Sequence, residues 1–288
     1  MSTTTTLKSI PVFYDPRMVT DSHSFSPSAG KPAPVVDSWK RLGIPIEIVD
    51  VKPVTLTQLK LAHDSRYVNA IMKGLADNGF GNRLPSVIAT LPYTSGAMLS
   101  AGRRALENGL VAVAPCSGFH HAGYDHSGGF CTFNGLIVTA QALKTEGLVR
   151  RVGILDFDMH YGDGTDHCIE QLKLSWITHF TAGATYRKPH QAAEFLERIP
   201  ALVKDMSECD LILYQAGADP SIDDPLGGWL DDDELHLRDS LVFRAAAKHK
   251  VPIVFCLAGG YQRDLRKVLD IHDRTLEACW GVYGSSGA

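Results

Sequence analysis

The sequence predicts an α/β protein with a central, mostly parallel β-sheet and helices on both faces. Three observations carry that expectation. Seven short apolar runs lack the polar alternation of a half-exposed strand. Stretches with helical spacing separate them. Polar, chemistry-bearing residues crowd just after the apolar runs, where ligands bind in open parallel sheets.

The runs, in order, are IPVFY (10–14), PIEIVD (45–50), LVAVAP (110–115), RVGILDF (151–157), SWITHF (175–180), DLILYQAG (210–217) and VPIVFCLAG (251–259). Helical spacing marks TSGAMLSAGRRALENG (94–109), FNGLIVTAQALKTEG (133–147), HQAAEFLERIPALVKDM (190–206) and DELHLRDSLVFRAAAKHK (233–250). The Ser-, Pro- and Gly-rich segment 20–34 reads as a surface loop, and the tail GSSGA (284–288) as frayed. With no repeat and no long linker, one domain over 1–288 is expected, its core about residues 8–283.

The 288 residues are 44% hydrophobic and 21% charged, with net charge −4 and pI about 6.3. No global basic field suggests direct nucleic-acid binding or an anionic membrane. The mixed-sign RKVLDIHDR (266–274) reads as a solvated helix face. No window approaches the roughly 18 apolar residues of a membrane span, and the start lacks a signal-peptide pattern. Six scattered cysteines without a CxxC pair read as reduced, mostly buried thiols in a cytoplasmic protein. Oligomeric state is not legible.

Four runs are followed by reactive side chains: His120 and His121 after 110–115, then Asp156, Asp158, His160 and Asp163, then Asp219, then Tyr261. Asp156, Asp158 and His160 are spaced by two, so an extended backbone points them to one side. Asp158 and His160 reach one cation, and Asp219 from another strand completes a set with one coordination position left for water. Such N/O donors without a thiolate suit Zn²⁺, and Fe²⁺ or Mn²⁺ less decisively. An EF-hand is excluded, because its fifth and twelfth positions would hold His160 and His167. Two adjacent imidazoles need carboxylates to fix their tautomers, and Asp156 and Asp163 are available. Helix capping is the plainer reading of these acids.

The motifs GFHHAGYDHSGGFCTFN, LDFDMHYGDGT, QAGADPSIDDPLGG and LAGGY, with AHDSRYVNAIMKG upstream, resemble the zinc-dependent histone deacetylase and acetylpolyamine amidohydrolase family over residues 8–283. The resemblance implies an arginase-type α/β fold and Asp158, His160 and Asp219 as zinc ligands. It implies His120 paired with Asp156, His121 paired with Asp163, and Tyr261 as donor to the scissile carbonyl. Phe130, with Gly129 and Gly260, would line a narrow substrate tunnel, and Asp156 with nearby carbonyls would hold a structural K⁺. The implied activity is hydrolysis of an acylated lysine or a related acylated amine, acetylpolyamines and other small amides being alternative substrates. His121 is the expected general base, with His120 its electrostatic partner.

Two departures stand out. Tyr161 replaces a second histidine of the family's metal motif, and TAGATYRKPH (181–190) lacks the aromatic expected across the tunnel from Phe130. Other readings are a binuclear manganese ureohydrolase and a non-catalytic acyl-ligand-binding protein. The first needs Asp-x-His-x-Asp, and Gly162 stands at the last position. Against the second, every expected catalytic position is filled.

Overall fold

All seven apolar runs become strands of one sheet in the computed structural model, which describes residues 6–285. They are β1 (Ile10–Phe13), β2 (Ile46–Val49), β3 (Val111–Val113), β4 (Val152–Asp156), β5 (Ile177–Thr181), β6 (Leu211–Gln215) and β7 (Ile253–Cys256). Every pairing is parallel, in the order β2-β1-β3-β7-β6-β4-β5. The four strands expected to deliver polar residues (β3, β7, β6 and β4) are therefore consecutive neighbours at the centre. That adjacency turns four separate motifs into one site.

The helices are α1 (Pro32–Trp39), α2 (Leu56–Leu59), α3 (Ser65–Met72), α4 (Pro85–Asn108), α5 (Gly135–Thr145), α6 (Asp163–Leu172), α7 (Ala192–Asp205), α8 (Asp232–His249) and α9 (Leu265–Tyr283). They cover the sheet on two sides, and alternate strand residues enter opposite cores. Ile253 and Phe255 of β7 pack with residues of α1, α7, α8 and α9. Val254 and Cys256 pack with residues of α3, α4 and α5. Burial on both faces explains why the strand runs show no polar alternation. Among the described residues no helix is long and apolar enough to cross a membrane, and all six cysteines are buried and unpaired.

Three expectations need correction. Segment 20–34 is no plain surface loop: Ser22, Ser26, Ser28 and Lys31 are buried, Ser26 donates to Ser28 Oγ at 2.8 Å, and α1 begins at Pro32. Its hydroxyls satisfy one another, so a polar composition goes inside. RKVLDIHDR is only partly solvated, because Val268, Ile271, His272 and Asp273 form a buried stripe on α9. In the tail, Ser285 N–H donates to Leu7 O at 2.9 Å and Gly284 bridges Leu7; the frayed end expected beyond them, 286–288, lies outside the described residues.

Candidate metal centre and its surroundings

β4 ends at Asp156, and the chain turns at once through Asp158 and His160 into α6. Asp219 lies just beyond β6. Donor atoms of Asp158, His160 and Asp219 all lie within 4.8 Å of one another. Asp158 is 2% exposed and Asp219 fully buried. His160 Nδ1 faces Asp158 Oδ1 and Asp219 Oδ2, each at 3.1 Å. Backbone donors aim the carboxylates: Gly259 N–H reaches Asp158 Oδ2 at 2.9 Å, and Met159 N–H reaches Asp219 Oδ1 at 3.2 Å.

Two buried carboxylates this close cannot both stay ionised without a compensating positive charge. Burial and the neighbouring Asp158 charge push Asp219 up to about 7. Hydrogen bonds to Asp158 and Asp219 push His160 up to about 10. A divalent cation would supply that positive charge, and the donor set of two carboxylates and one imidazole fits such an ion with open coordination positions. A bridging third carboxylate is absent: a Cβ on Gly162 would come within 2.5 Å of Asp156 Oδ2.

The expected histidine pairs form. His120 Nδ1 bonds Asp156 Oδ2 at 2.7 Å, and His121 Nδ1 bonds Asp163 Oδ1 at 2.6 Å. The two rings lie tilted against each other, centroids 4.1 Å apart. Burial opposes charge on His120, but Asp156 and Asp158 outweigh it and lift His120 to about 9. Burial and the His120 charge hold His121 below the usual histidine range. Asp163 does not cap α6, whose N-cap is Gly162.

Tyr261 stands across the site, its ring centroid 6.5 Å from that of His160 and 5.7 Å from that of Phe130. Burial, then the charges of Asp219 and Asp158, raise its hydroxyl far above the usual range. Phe130 holds φ 65°, a left-handed conformation that typically costs about 1–3 kcal/mol in a non-glycine residue. Phe25 and Phe80 flank its ring at 5.2 and 5.8 Å. Gly129 precedes it at φ 50°, where a Cβ would strike the His121 ring at 2.3 Å. Gly260 holds φ 146°, which aims Tyr261. Within 181–190, the aromatic Tyr186 turns into the core against Phe195 (centroids 5.0 Å). A 360 Å³ cavity opens beside His160 and His121, lined also by Met159, Tyr161, Arg187 and Leu226. Tyr161 hydroxyl donates to Asp166 at 2.5 Å and lines this mouth.

Sequence reasoning missed several supporting groups. Gln215 Nε2 donates to Asp156 Oδ1 at 2.8 Å, and its Oε1 accepts Phe119 N–H at 3.0 Å, joining three strand ends. Asp224 accepts Tyr261 N–H at 2.7 Å. Lys31 Nζ donates to Ala258 O at 2.6 Å beneath the LAGGY turn, and burial lowers it to about 8. A buried lysine after a Ser- and Pro-rich segment leaves no pattern to read. The AHDSRY segment proves to be a buttress: His63 bonds Gly123 O at 2.9 Å and accepts Asn134 N–H at 2.8 Å, while Tyr67 hydroxyl donates to Thr132 O at 2.5 Å. A second cluster, Asp125, His126 and His167, is mostly exposed, and His167 Nδ1 already accepts Tyr124 N–H at 3.2 Å.

The family model for the histone deacetylase domain matches residues 31–179. Histone deacetylase 2 of Arabidopsis thaliana is 26% identical over 253 residues, 77% of this chain and 65% of that protein. Acetylpolyamine amidohydrolase 1 of Pseudomonas aeruginosa is 32% identical over 132 residues, 44% of this chain and 38% of that protein. The chain thus spans less than two thirds of either relative. The crystal structure of the HDA15 HD domain superimposes with a TM-score of 0.77 at 16% identity, covering 98% of this chain and 91% of that one, and so shares the fold. The chain belongs to the histone deacetylase domain family, a class of hydrolases acting on amide bonds.

Proposed function

We propose that this protein is a zinc-dependent amidohydrolase that removes the acyl group from an acylated lysine side chain, residues 1–288 acting as one catalytic domain. One observation carries the reading: Asp158, His160 and Asp219 converge within 4.8 Å beside two histidine–aspartate pairs and a tyrosine. When bound by Asp158, His160 and Asp219, zinc supplies Lewis-acid polarisation of the acyl carbonyl and lowers the pKa of water toward about 7.

The chain's own residues do the rest. His121, held neutral, accepts the proton of the attacking water and returns one to the leaving amine, a role typically worth about 10²–10⁴-fold. His120, held charged by Asp156, offsets the negative charge that develops nearby. The Tyr261 hydroxyl keeps its proton and donates it as a hydrogen bond to the developing oxyanion. Phe130, with Gly129 and Gly260, forms one wall for the aliphatic chain. A structural K⁺ on Asp156 and neighbouring carbonyls belongs to the same reading, as does a reducing, cytoplasmic setting for six unpaired thiols.

The test is metal content and turnover together. The zinc-loaded chain should hydrolyse acetyl-lysine peptides with one zinc per chain. Asp219→Ala should lose the metal, and Tyr261→Phe should keep it while turnover falls about 10²–10³-fold. Bound zinc without turnover on acyl-lysine peptides, longer acyl-lysines or acetylpolyamines would favour a non-catalytic binder, and two Mn²⁺ per chain a ureohydrolase.

A further inference from the structure

The mouth beside His160 has one uncommitted charge. Of the residues lining the 360 Å³ cavity, Asp163 is bonded to His121 Nδ1, and nearby Asp166 accepts from both Tyr161 and His179. Arg187 is different. Its side chain makes a single bond, Nε–H to Gly183 O at 3.1 Å, and its terminal amino groups find no hydrogen bond or ion pair among the described residues.

The backbone that carries this exposed side chain is held in place. Arg187 N–H and Lys188 N–H both donate to Gln191 Oε1 at 3.0 Å, and Gln191 Nε2 donates to Thr185 O at 3.1 Å. Tyr186 beside it is fully buried. A turn tied this way presents a forked donor whose backbone entropy is already lost on folding. Met159 and Leu226 give the same cavity an apolar side, and His121 and His160 place it beside the candidate metal centre. A substrate's amine side entering this cavity therefore meets apolar surface and one cation.

We infer that Arg187 is a specificity residue that receives a carboxylate on the amine side of the substrate, so that acyl-lysine bearing a nearby anionic group is preferred over cationic acylpolyamines. This rests on the hydrolase reading above. A guanidinium pairs with carboxylate by two parallel N–H···O bonds, whereas an ammonium brought to the same place meets like charge. The carboxylate could be the free α-carboxyl of acyl-lysine itself or an acidic neighbour in a peptide.

The test compares kcat and KM of the zinc-loaded chain on Nε-acetyl-lysine with a free α-carboxylate and with that group amidated, on acetyl-lysine peptides flanked by Glu or by Lys, and on acetylputrescine. The preferred acid should show a KM lower than its neutral or basic counterpart by roughly fivefold, typical of a partly solvated ion pair. Whichever pair of substrates shows the gap identifies the source. Arg187→Gln should abolish it and Arg187→Glu should reverse it, with the effect in KM and weakened by salt. An unchanged ratio in Arg187→Gln overturns this inference while the hydrolase reading stands. Absence of turnover on every substrate sinks the hydrolase reading alone, because binding of the deacylated Glu- and Lys-flanked peptides to the metal-free chain tests Arg187 independently. Equal affinities within that pair, and also between lysine and lysinamide on the same chain, overturn the inference.

Discussion

His120 and His121 are sequence neighbours, each with Nδ1 bonded to an aspartate, but one pair forms the floor of the site and the other its mouth. The His120 and Asp156 side chains are 3% and 0% exposed, whereas those of His121 and Asp163 are 22% and 56% exposed. Depth alone would favour a neutral histidine at the floor. The opposite holds, because three buried aspartates surround His120 and their charges outweigh desolvation. At the mouth burial and the charged His120 prevail over the solvated Asp163 and the more distant Asp158. The two histidines of one motif are thus pushed in opposite directions, the division that the proposed base and electrostatic partner require.

The sharpest way to break this comparison is at the floor. Asp156→Ala leaves His120 and Gln215 without their buried acceptor, and should lower unfolding stability by about 3–5 kcal/mol, measured by chemical denaturation. Turnover should fall by about 10²-fold or more in the fraction still folded. Stability within ~0.5 kcal/mol of the parent would mean that the floor pair is not the anchor described.

At the mouth, Asp163→Asn should be milder. Loss of an orienting carboxylate typically reduces activity about 10–100-fold, and stability should barely change. The acid limb of kcat/KM supplies the sign. His121 is held below its usual pKa, so its base form persists to lower pH and the limb should lie below about 6.5. Asp163 raises that pKa, so the variant's limb should move further toward acid. A shift toward alkaline pH would refute the assignment of the base.

The scaffold beneath both pairs responds to pH on its own. Burial holds His63 at about 4 against an unfolded value of about 6.5. The folded state excludes a proton the unfolded chain binds, so His63 contributes its full stability above about 6.5. That contribution should disappear as pH falls toward about 4, roughly 3 kcal/mol in all. Denaturation curves across this window should show the loss, and His63→Gln should flatten the slope.

Much of the fold was readable because strands buried on both faces show as unbroken apolar runs, and each of the seven runs formed a strand. The candidate metal donors were readable from their clustering just after a strand, although the extended backbone expected to align them ends at Asp156 and the chain bends through Asp158 and His160. What stayed hidden depends on contacts distant in sequence. Gln215 reads as the last residue of a strand until Asp156 lies beside it in register. Arg187 reads as one of several surface cations until the turn at 182–191 places it at the mouth. Helix α9 concealed its buried stripe behind charged residues of both signs, and the serines of 20–34 gave no hint that they bond one another inside.

Leu7 and Gly284 lie side by side, with Leu7 N–H donating to Tyr283 O at 2.7 Å. Leu7 enters β1 from its amino end, so this junction sits at the sheet edge opposite the catalytic one. A circular permutant that splices residue 285 to residue 7 through a short linker should therefore keep the face carrying the candidate site intact.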